Sequence, residues 1–526
     1  MLTGQQSGFT VEDAFEFACK LRADPMGMND PGEPVEPADA SWPVKVYDGG
    51  ERLPLAGAGP WWLQSHSSNS DDSMMRLGTL LFQTVACSRV RWQPGGTVLS
   101  SPQHPGLVWP ESHLSLRRPV PSGGAMYPTE VYLAAPLARA VYHYDPARHE
   151  LTNLGQPHVA ASLRAALGLA RDAPLSPFAL VLAHRFSKNL HKYKNFAYRL
   201  GAVDVGVVLG RFVSCASAAF DDVKVQVDFD DAVLNEMCGI SGIDESAYAV
   251  VSLGAPQSVS LSEDGMVAER PRLLERGVPA RPSSVFAAMH RAACELSPRN
   301  RLGHKAVPQE CEETTDLVPL PAARSDVSIN NHTLMCRTSN GAWFTGAPVA
   351  VDVLATVLHR THEAVTRLHM ICRDSDLPSL RLYCAVDRID QIEPGWYRYL
   401  PTRHALTPAG AGRAISPSTE LQAALYAATV DVERSAFSLH VATVVDFRSD
   451  PRGARAYRVQ QLFVGAAVEA ATRWSAAMGI GSHPLHGFDA RRVDARYGIG
   501  DPFGVQAQVS IGKARPSGSL EGSVIA

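Results

Sequence analysis

Two distant stretches of the chain repeat one hydrophobic rhythm. Apolar and aromatic residues dominate TEVYLAA (Thr129–Ala135) and AVYHYD (Ala140–Asp145), a composition that predicts strands. A long run rich in small and apolar residues follows, AYRLGAVDVGVVLGRFVSCASAAF (Ala197–Phe220), and predicts a helix packed closely in a core. YAVVSLG (Tyr248–Gly254) predicts a closing strand. The order then recurs: LPSLRLYCAV (Leu377–Val386), AYRVQQLFVGAAVEAATRWSAAMG (Ala456–Gly479) and VQAQVSIG (Val505–Gly512).

The recurrence extends to identities. VYHYDPARHEL (Val141–Leu151) and WYRYLPTRHAL (Trp396–Leu406) share Tyr142/Tyr397, Tyr144/Tyr399, Pro146/Pro401, Arg148/Arg403, His149/His404 and Leu151/Leu406. AYRLGAVDVG (Ala197–Gly206) matches AYRVQQLFVG (Ala456–Gly465), and VVSLGAPQ (Val250–Gln257) matches QVSIGKAR (Gln508–Arg515). The matches keep their order at nearly constant spacing, which points to duplication. Each copy reads as an α+β unit with an extended sheet and a buried helix. Two copies in one chain predict tandem domains forming an intramolecular pseudo-dimer, a fused form of a symmetric dimer. The expected divisions are an N-terminal arm (1–75), a first domain (76–257), a linker (258–328) and a second domain (329–526). The arm should open with a short helix over Val11–Arg22 and continue as an irregular Pro/Gly-rich stretch. The linker should hold one helical piece near Ser283–Leu296.

Composition narrows the class. With 526 residues, the chain exceeds a single hydrophobic core. A net charge of −4, without a basic stripe, gives no sign of nucleic-acid binding. The nine cysteines form no CxxC pair, which argues against a disulfide framework or zinc ribbon. No signal peptide or transmembrane run is expected, and the cytoplasm is the default location. GxSxG, Walker A and HExxH are missing from the sequence, and no GxGxxG follows a strand. His359 and His362 form only an HxxH pair within a helical stretch, and no metal is expected.

The chemistry-bearing residues carry a resemblance. RRPVPSGGAMYPTEVY (Arg117–Tyr132) followed by HKYKNFAYR (His191–Arg199) resembles the SagB-type dehydrogenases of the nitroreductase-like flavoprotein superfamily, as does SWPVKVYDGGERLPL (Ser41–Leu55). The resemblance covers most of the chain, in two copies. It implies FMN as cofactor. Pro121, Ser122, Gly123 and Gly124 form a turn whose backbone can approach a flat ring. In CRTSNGAWF, Arg337 and Ser339 match the superfamily's phosphate entry, with Gly341 where a second base often stands. His486 and Gly487 fall on the flavin-edge loop, and Lys513 and Arg515 on the basic pair that closes on the phosphate. Lys192 and Tyr193 are the implied catalytic pair; Lys194 and Phe196 replace the family's usual Gly and Arg.

The copies differ in a complementary way. The first has Ala255 and Gln257 where the second has Lys513 and Arg515. The second reads Ile371–Pro378 where the first has its Pro-Ser-Gly-Gly turn, and Pro451–Arg452 in place of Lys192–Tyr193. One composite site, holding one FMN per chain, is therefore expected. The resemblance implies oxidation of peptide thiazolines or oxazolines to azoles, with oxygen as acceptor. The implied partners are an azoline-containing precursor peptide and a cyclodehydratase. Two alternatives stay open: another FMN oxidoreductase, such as an NAD(P)H-dependent nitro- or ene-reductase, and a flavin-free scaffold subunit.

Overall fold

The computed structural model describes residues 8–25, 27–28, 41–55, 72–93, 98–101, 104–108, 113–259, 269–275, 280–295, 316–339, 341–374, 377–410, 416–426, 430–515 and 520–523. The irregular stretch expected after the first helix lies largely outside them.

Each copy builds a seven-stranded antiparallel sheet, and the two sheets have the same order. The first runs Val223–Gln226, Glu245–Leu253, Phe178–Arg185, Thr129–Ala135, Ala140–Asp145, Glu150–Asn153, Arg52–Pro54. The second runs Gly481–Leu485, Phe503–Gly512, Phe437–Val444, Leu380–Val386, Gly395–Leu400, Ala405–Pro408, Val318–Pro319. Register is duplicated as well: Phe178 pairs with Leu253 and Phe437 with Ile511. Both ladders slip once, between Leu182 and Ala183 and between the equivalent Val441 and Ala442. A shared bulge is a strong mark of common descent, because it re-aims every side chain beyond it.

The repeated YxYxPxRHxL stretch makes the same hairpin twice. Tyr144 Oη lies 2.8 Å from His149 Nδ1, and Tyr399 Oη 2.8 Å from His404 Nδ1. Both histidines turn the chain with positive φ, 53° and 45°. The tyrosine bond ties down a strained turn, so this repeat serves the hairpin.

The long helices Ala197–Ala219 and Arg455–Ala477 pack against each other and join the halves. Their crossing needs glycine. A Cβ on Gly206 would lie 2.2 Å from the Leu462 carbonyl oxygen; one on the equivalent Gly465 would lie 2.2 Å from that of Val203. Equivalent Tyr198 and Tyr457 stack with ring centres 6.2 Å apart and planes 7° apart, close to the pseudo-twofold. Segment Ser187–Ala219 is long and apolar enough to cross a bilayer by length and composition alone, and its central helix is buried between the halves.

The arm and linker are woven into the copies. Helix Val11–Ala23 matches the expected first helix, and Ser283 caps helix Ser284–Cys294 by accepting from the Phe286 amide. Each helix is tied to a central helix: Arg199 donates to Leu21 O, and Arg455 donates to Ala293 O. Arg52–Pro54 and Val318–Pro319 are the equivalent edge strands, while Val46–Asp48 pairs with Arg272–Leu274. Divisions at 75/76 and 328/329 therefore cut through folded units.

Candidate active site

A cavity of about 490 Å³ opens between the copies, lined by residues of both. From the first copy come Pro121–Gly124, Lys192, Tyr193 and Asp204; from the second come Arg337, Ser339 and His483–Gly487. The cavity size suits a small-molecule site.

Local backbone geometry brings the first-copy motifs together. Helix Ser187–Tyr193 ends at Lys194, whose φ of 45° and ψ of −130° break the chain direction before the central helix begins. That explains the family's usual glycine at this position; here a lysine bears the strained conformation. The turn opposite uses Gly124 at φ 59°. A Cβ there would lie 2.3 Å from the Tyr193 hydroxyl oxygen and 2.9 Å from Lys192 Nζ. Gly124 is glycine because the Lys–Tyr pair rests on it.

Asp204, on the central helix, holds the turn from below. Ser122 Oγ donates to it at 2.6 Å and the Gly123 amide at 3.2 Å, while Ser122 Oγ accepts from Tyr127 N at 2.8 Å. This corrects part of the sequence expectation: Ser122 and the Gly123 amide are committed to Asp204, so they shape the turn and are not free donors to a ring. Burial raises the Asp204 pKa to about 7, with its bonds to Ser122 and Gly123 opposing the shift.

Lys192 Nζ lies 5.2 Å from the Tyr193 ring centre. The lysine is exposed at the cavity mouth, but the surrounding protein still desolvates its amine and lowers its pKa. Tyr193 moves the other way: burial, then the nearby Asp204 charge, raises its pKa. At neutral pH Tyr193 is a neutral hydroxyl and Lys192 the better proton acceptor of the pair. Burial pushes His483 to about 4 and His486 to about 3, so both imidazoles are neutral.

On the second copy's side, Arg337 is 6% exposed and donates through Nε to Pro119 O at 2.9 Å. Its Nη1 lies 3.4 Å from Ser339 Oγ. The Gly341 amide donates to His483 Nδ1 at 3.1 Å, and a Cβ at Gly341 would come within 2.7 Å of that ring. A second base therefore has no room at 341. Gly487 has open space where a Cβ would stand.

Lys513 and Arg515 are not brought to the cavity. Ala514 bridges to Phe344 and packs inward, so the residues flanking it face outward, and both are exposed. The expectation that they close the phosphate end is corrected on that ground. In their place the cavity presents Arg89, Arg91, Arg117 and Arg118, which sequence reasoning missed along with Asp204. The alternating arginines of SRVRWQ were the available signal.

Comparison with known proteins agrees with this architecture. A crystal structure of a candidate nitroreductase from Anabaena variabilis superposes with a TM-score of 0.69 at 18% identity, covering 96% of this chain and all of that one. The microcin B17-processing protein McbC of Escherichia coli is 35% identical over 101 residues, 18% of this chain and 37% of McbC. The chain has a nitroreductase-like fold. It is also 25% identical over 119 residues, 22% of its length, to MJ1384, a candidate nitroreductase of Methanocaldococcus jannaschii, covering 60% of that protein. It thus spans less than two thirds of either curated relative. No protein-family profile matches it.

Proposed function

We propose that the protein is an FMN-dependent dehydrogenase that oxidises peptide thiazolines or oxazolines to thiazoles or oxazoles. The observation that carries this reading is the contact between Lys192–Tyr193 and the Gly124 turn inside a cavity shared by both copies. The kinship to McbC, a peptide-processing protein by name, supports a peptide substrate.

The cavity fits the cofactor. Leu200, Val203, Val207 and Val468 offer an apolar wall to a flat ring, and arginines gather at one end for a phosphate. Gly124, His486 and Gly487 would meet the ring, while Arg337 and Ser339 would meet the phosphate. When bound, FMN supplies the acceptor for two electrons. Aromatising an azoline removes a proton from Cα and a hydride from Cβ. Lys192, whose pKa desolvation lowers, takes the Cα proton. Tyr193 remains protonated and orients the substrate by donating a hydrogen bond. One FMN per chain is expected, because the Pro-Ser-Gly-Gly turn and the Lys–Tyr pair stand in the first copy and are replaced in the second. The precursor peptide would arrive with its azolines already formed by a cyclodehydratase partner.

The test is incubation of the FMN-loaded protein with an azoline-bearing peptide under air. A 2-Da mass loss per ring supports the reading. MJ1384, by its name, favours the alternative of an NAD(P)H-dependent nitroreductase. Rapid flavin bleaching by NADPH with no peptide oxidation would select that alternative. Purified protein that takes up no added FMN would select the scaffold reading.

A further inference from the structure

The first copy carries a segment without a counterpart in the second. Helix Asp72–Val85 is followed by strands Arg89–Gln93 and His113–Arg117, which pair antiparallel; helix Val351–Ile371 runs directly into Cys372–Asp374. The C-terminal strand Leu520–Ser523 adds to the other edge of Arg89–Gln93, so the end of the second copy clasps the first copy's insertion.

Alternation along these strands gathers charge on one face. Arg89 stands opposite Arg117, and Arg91 opposite Glu521. Like charges placed directly opposite destabilise a sheet unless something neutralises them. Glu521 does so in part: Arg89 Nη1 donates to it at 2.6 Å and Arg91 Nε at 2.5 Å. Arg89 Nη2 reaches across to the carbonyl of Arg337 at 2.7 Å, which fixes this cluster at the Arg337 end of the cavity. Arg89, Arg91, Arg117 and Arg337 thus gather at one end, with Glu521 bonding Arg89 and Arg91. The Nε atoms of Arg89 and Arg117 are buried without a hydrogen-bond partner. Burial lowers the pKa of Arg117, and brings that of Arg337 to about 9. Desolvated guanidiniums with free donors are stable only beside an anion.

We propose that Arg89 and Arg117, from the first copy's insertion, grip the flavin phosphate together with Arg337 of the second copy, and that Glu521 of the C-terminal strand holds the Arg89–Arg91 pair in place for it. This assignment rests on the FMN reading. It gives the phosphate end of the site to the insertion and the C-terminal clasp, in place of Lys513 and Arg515. The bound chemistry is a phosphomonoester dianion, which planar guanidiniums meet with paired donors.

The experiment compares FMN with riboflavin, which lacks the phosphate. Dissociation constants for both are measured by flavin fluorescence on full-length apoprotein: wild type, R89Q/R117Q, K513Q/R515Q and E521Q. Wild type should prefer FMN strongly. R89Q/R117Q should lower that preference by roughly 10–100-fold with riboflavin affinity unchanged, which also shows the variant folded. E521Q should lower it by less, and K513Q/R515Q should leave it intact. A preference retained in R89Q/R117Q, or lost in K513Q/R515Q, overturns the assignment. Loss of peptide affinity in R89Q/R117Q with FMN preference intact also overturns it, since the cluster would then hold a substrate anion. Failure of wild type to bind either flavin would instead remove the FMN reading, and the assignment with it.

Discussion

At one pole of the pseudo-twofold, His486 and Gly487 face the Pro121–Gly124 turn across an open cavity. At the other pole their counterparts, Val227 and Asp228, are bonded directly to the segment that replaces the turn. The Val227 amide donates to Asp374 Oδ2 at 2.6 Å and the Asp228 amide to the same oxygen at 3.3 Å. Arg373 N donates to Val225 O at 2.9 Å, and Val225 bridges to Cys372. The counterpart of Tyr193 is Arg452, engaged with Asp450 through two nitrogens at 2.9 and 2.7 Å. The closed pole has not lost its sheet, bulge or helix. A few residues changed, and the carboxylate of Asp374 now occupies amides that on the other side border the cavity. A duplicated scaffold can therefore retire one site locally, leaving the shared helix crossing untouched.

That crossing is where the comparison breaks most completely. Gly206→Leu puts a side chain into the Leu462 backbone, and both poles lose their common frame. Overpacking against backbone that cannot yield should cost at least about 4 kcal/mol. The expected outcome is loss of a cooperative thermal transition; a melting temperature within a few degrees of wild type would mean the helices can part.

The second prediction sets the two poles against each other. Lys192→Ala should slow azoline oxidation by about 10²–10⁴-fold, the usual effect of removing a proton acceptor. Arg452→Ala, at the closed pole's counterpart of the neighbouring Tyr193, should leave the rate unchanged and lower only the melting temperature. Equal loss in both would mean the closed pole takes part in the reaction. The pH profile sharpens the first arm: a lysine with lowered pKa should give activity that rises with pH and levels off before free lysine would titrate.

Much of this contrast was legible in the sequence. The turn, the Lys192–Tyr193 pair and their replacements in the second copy could be read by alignment of the halves, because each lies within a few residues of a repeated landmark. The arginine cluster could not, beyond the alternation in SRVRWQ. Arg91 meets Glu521 only because the last strand pairs with the insertion, and no local pattern announces a contact between such distant segments. Lys513 and Arg515 failed for the opposite reason: the motif was present, but alternation about Ala514 turns both side chains outward. Ser122 was read as part of a turn open to a ligand, and Asp204, 82 residues on, claims its hydroxyl. The arm looked separate because its strands are three residues long and find partners only in the fold.

Asp204 supplies the third prediction. Its folded pKa of about 7 stands above the ordinary carboxyl value, so the folded state holds the proton more tightly than the unfolded chain. Stability contributed by the protonated form is present at low pH, declines as pH rises from about 4 to about 7, and is level above that. Asp204→Asn lacks this titration. Its stability relative to wild type should rise through the same window by on the order of 2–4 kcal/mol. Urea midpoints at pH 5 and pH 8 measure the difference; a gap independent of pH would mean the carboxyl is not held protonated.

The smallest effect bears most directly on how the second site closed. Asp374→Ala removes the acceptor shared by the Val227 and Asp228 amides. Stranding buried donors should cost about 1–3 kcal/mol in unfolding free energy. The flavin-to-chain ratio of FMN-saturated protein should stay near one, because the closed pole also lacks the insertion's arginines, and Arg452 fills the place of Tyr193. A ratio approaching two would mean that the carboxylate alone bars the second site. The complementary losses along the two copies would then be consequences of closure, and a single substitution would have been enough to begin it.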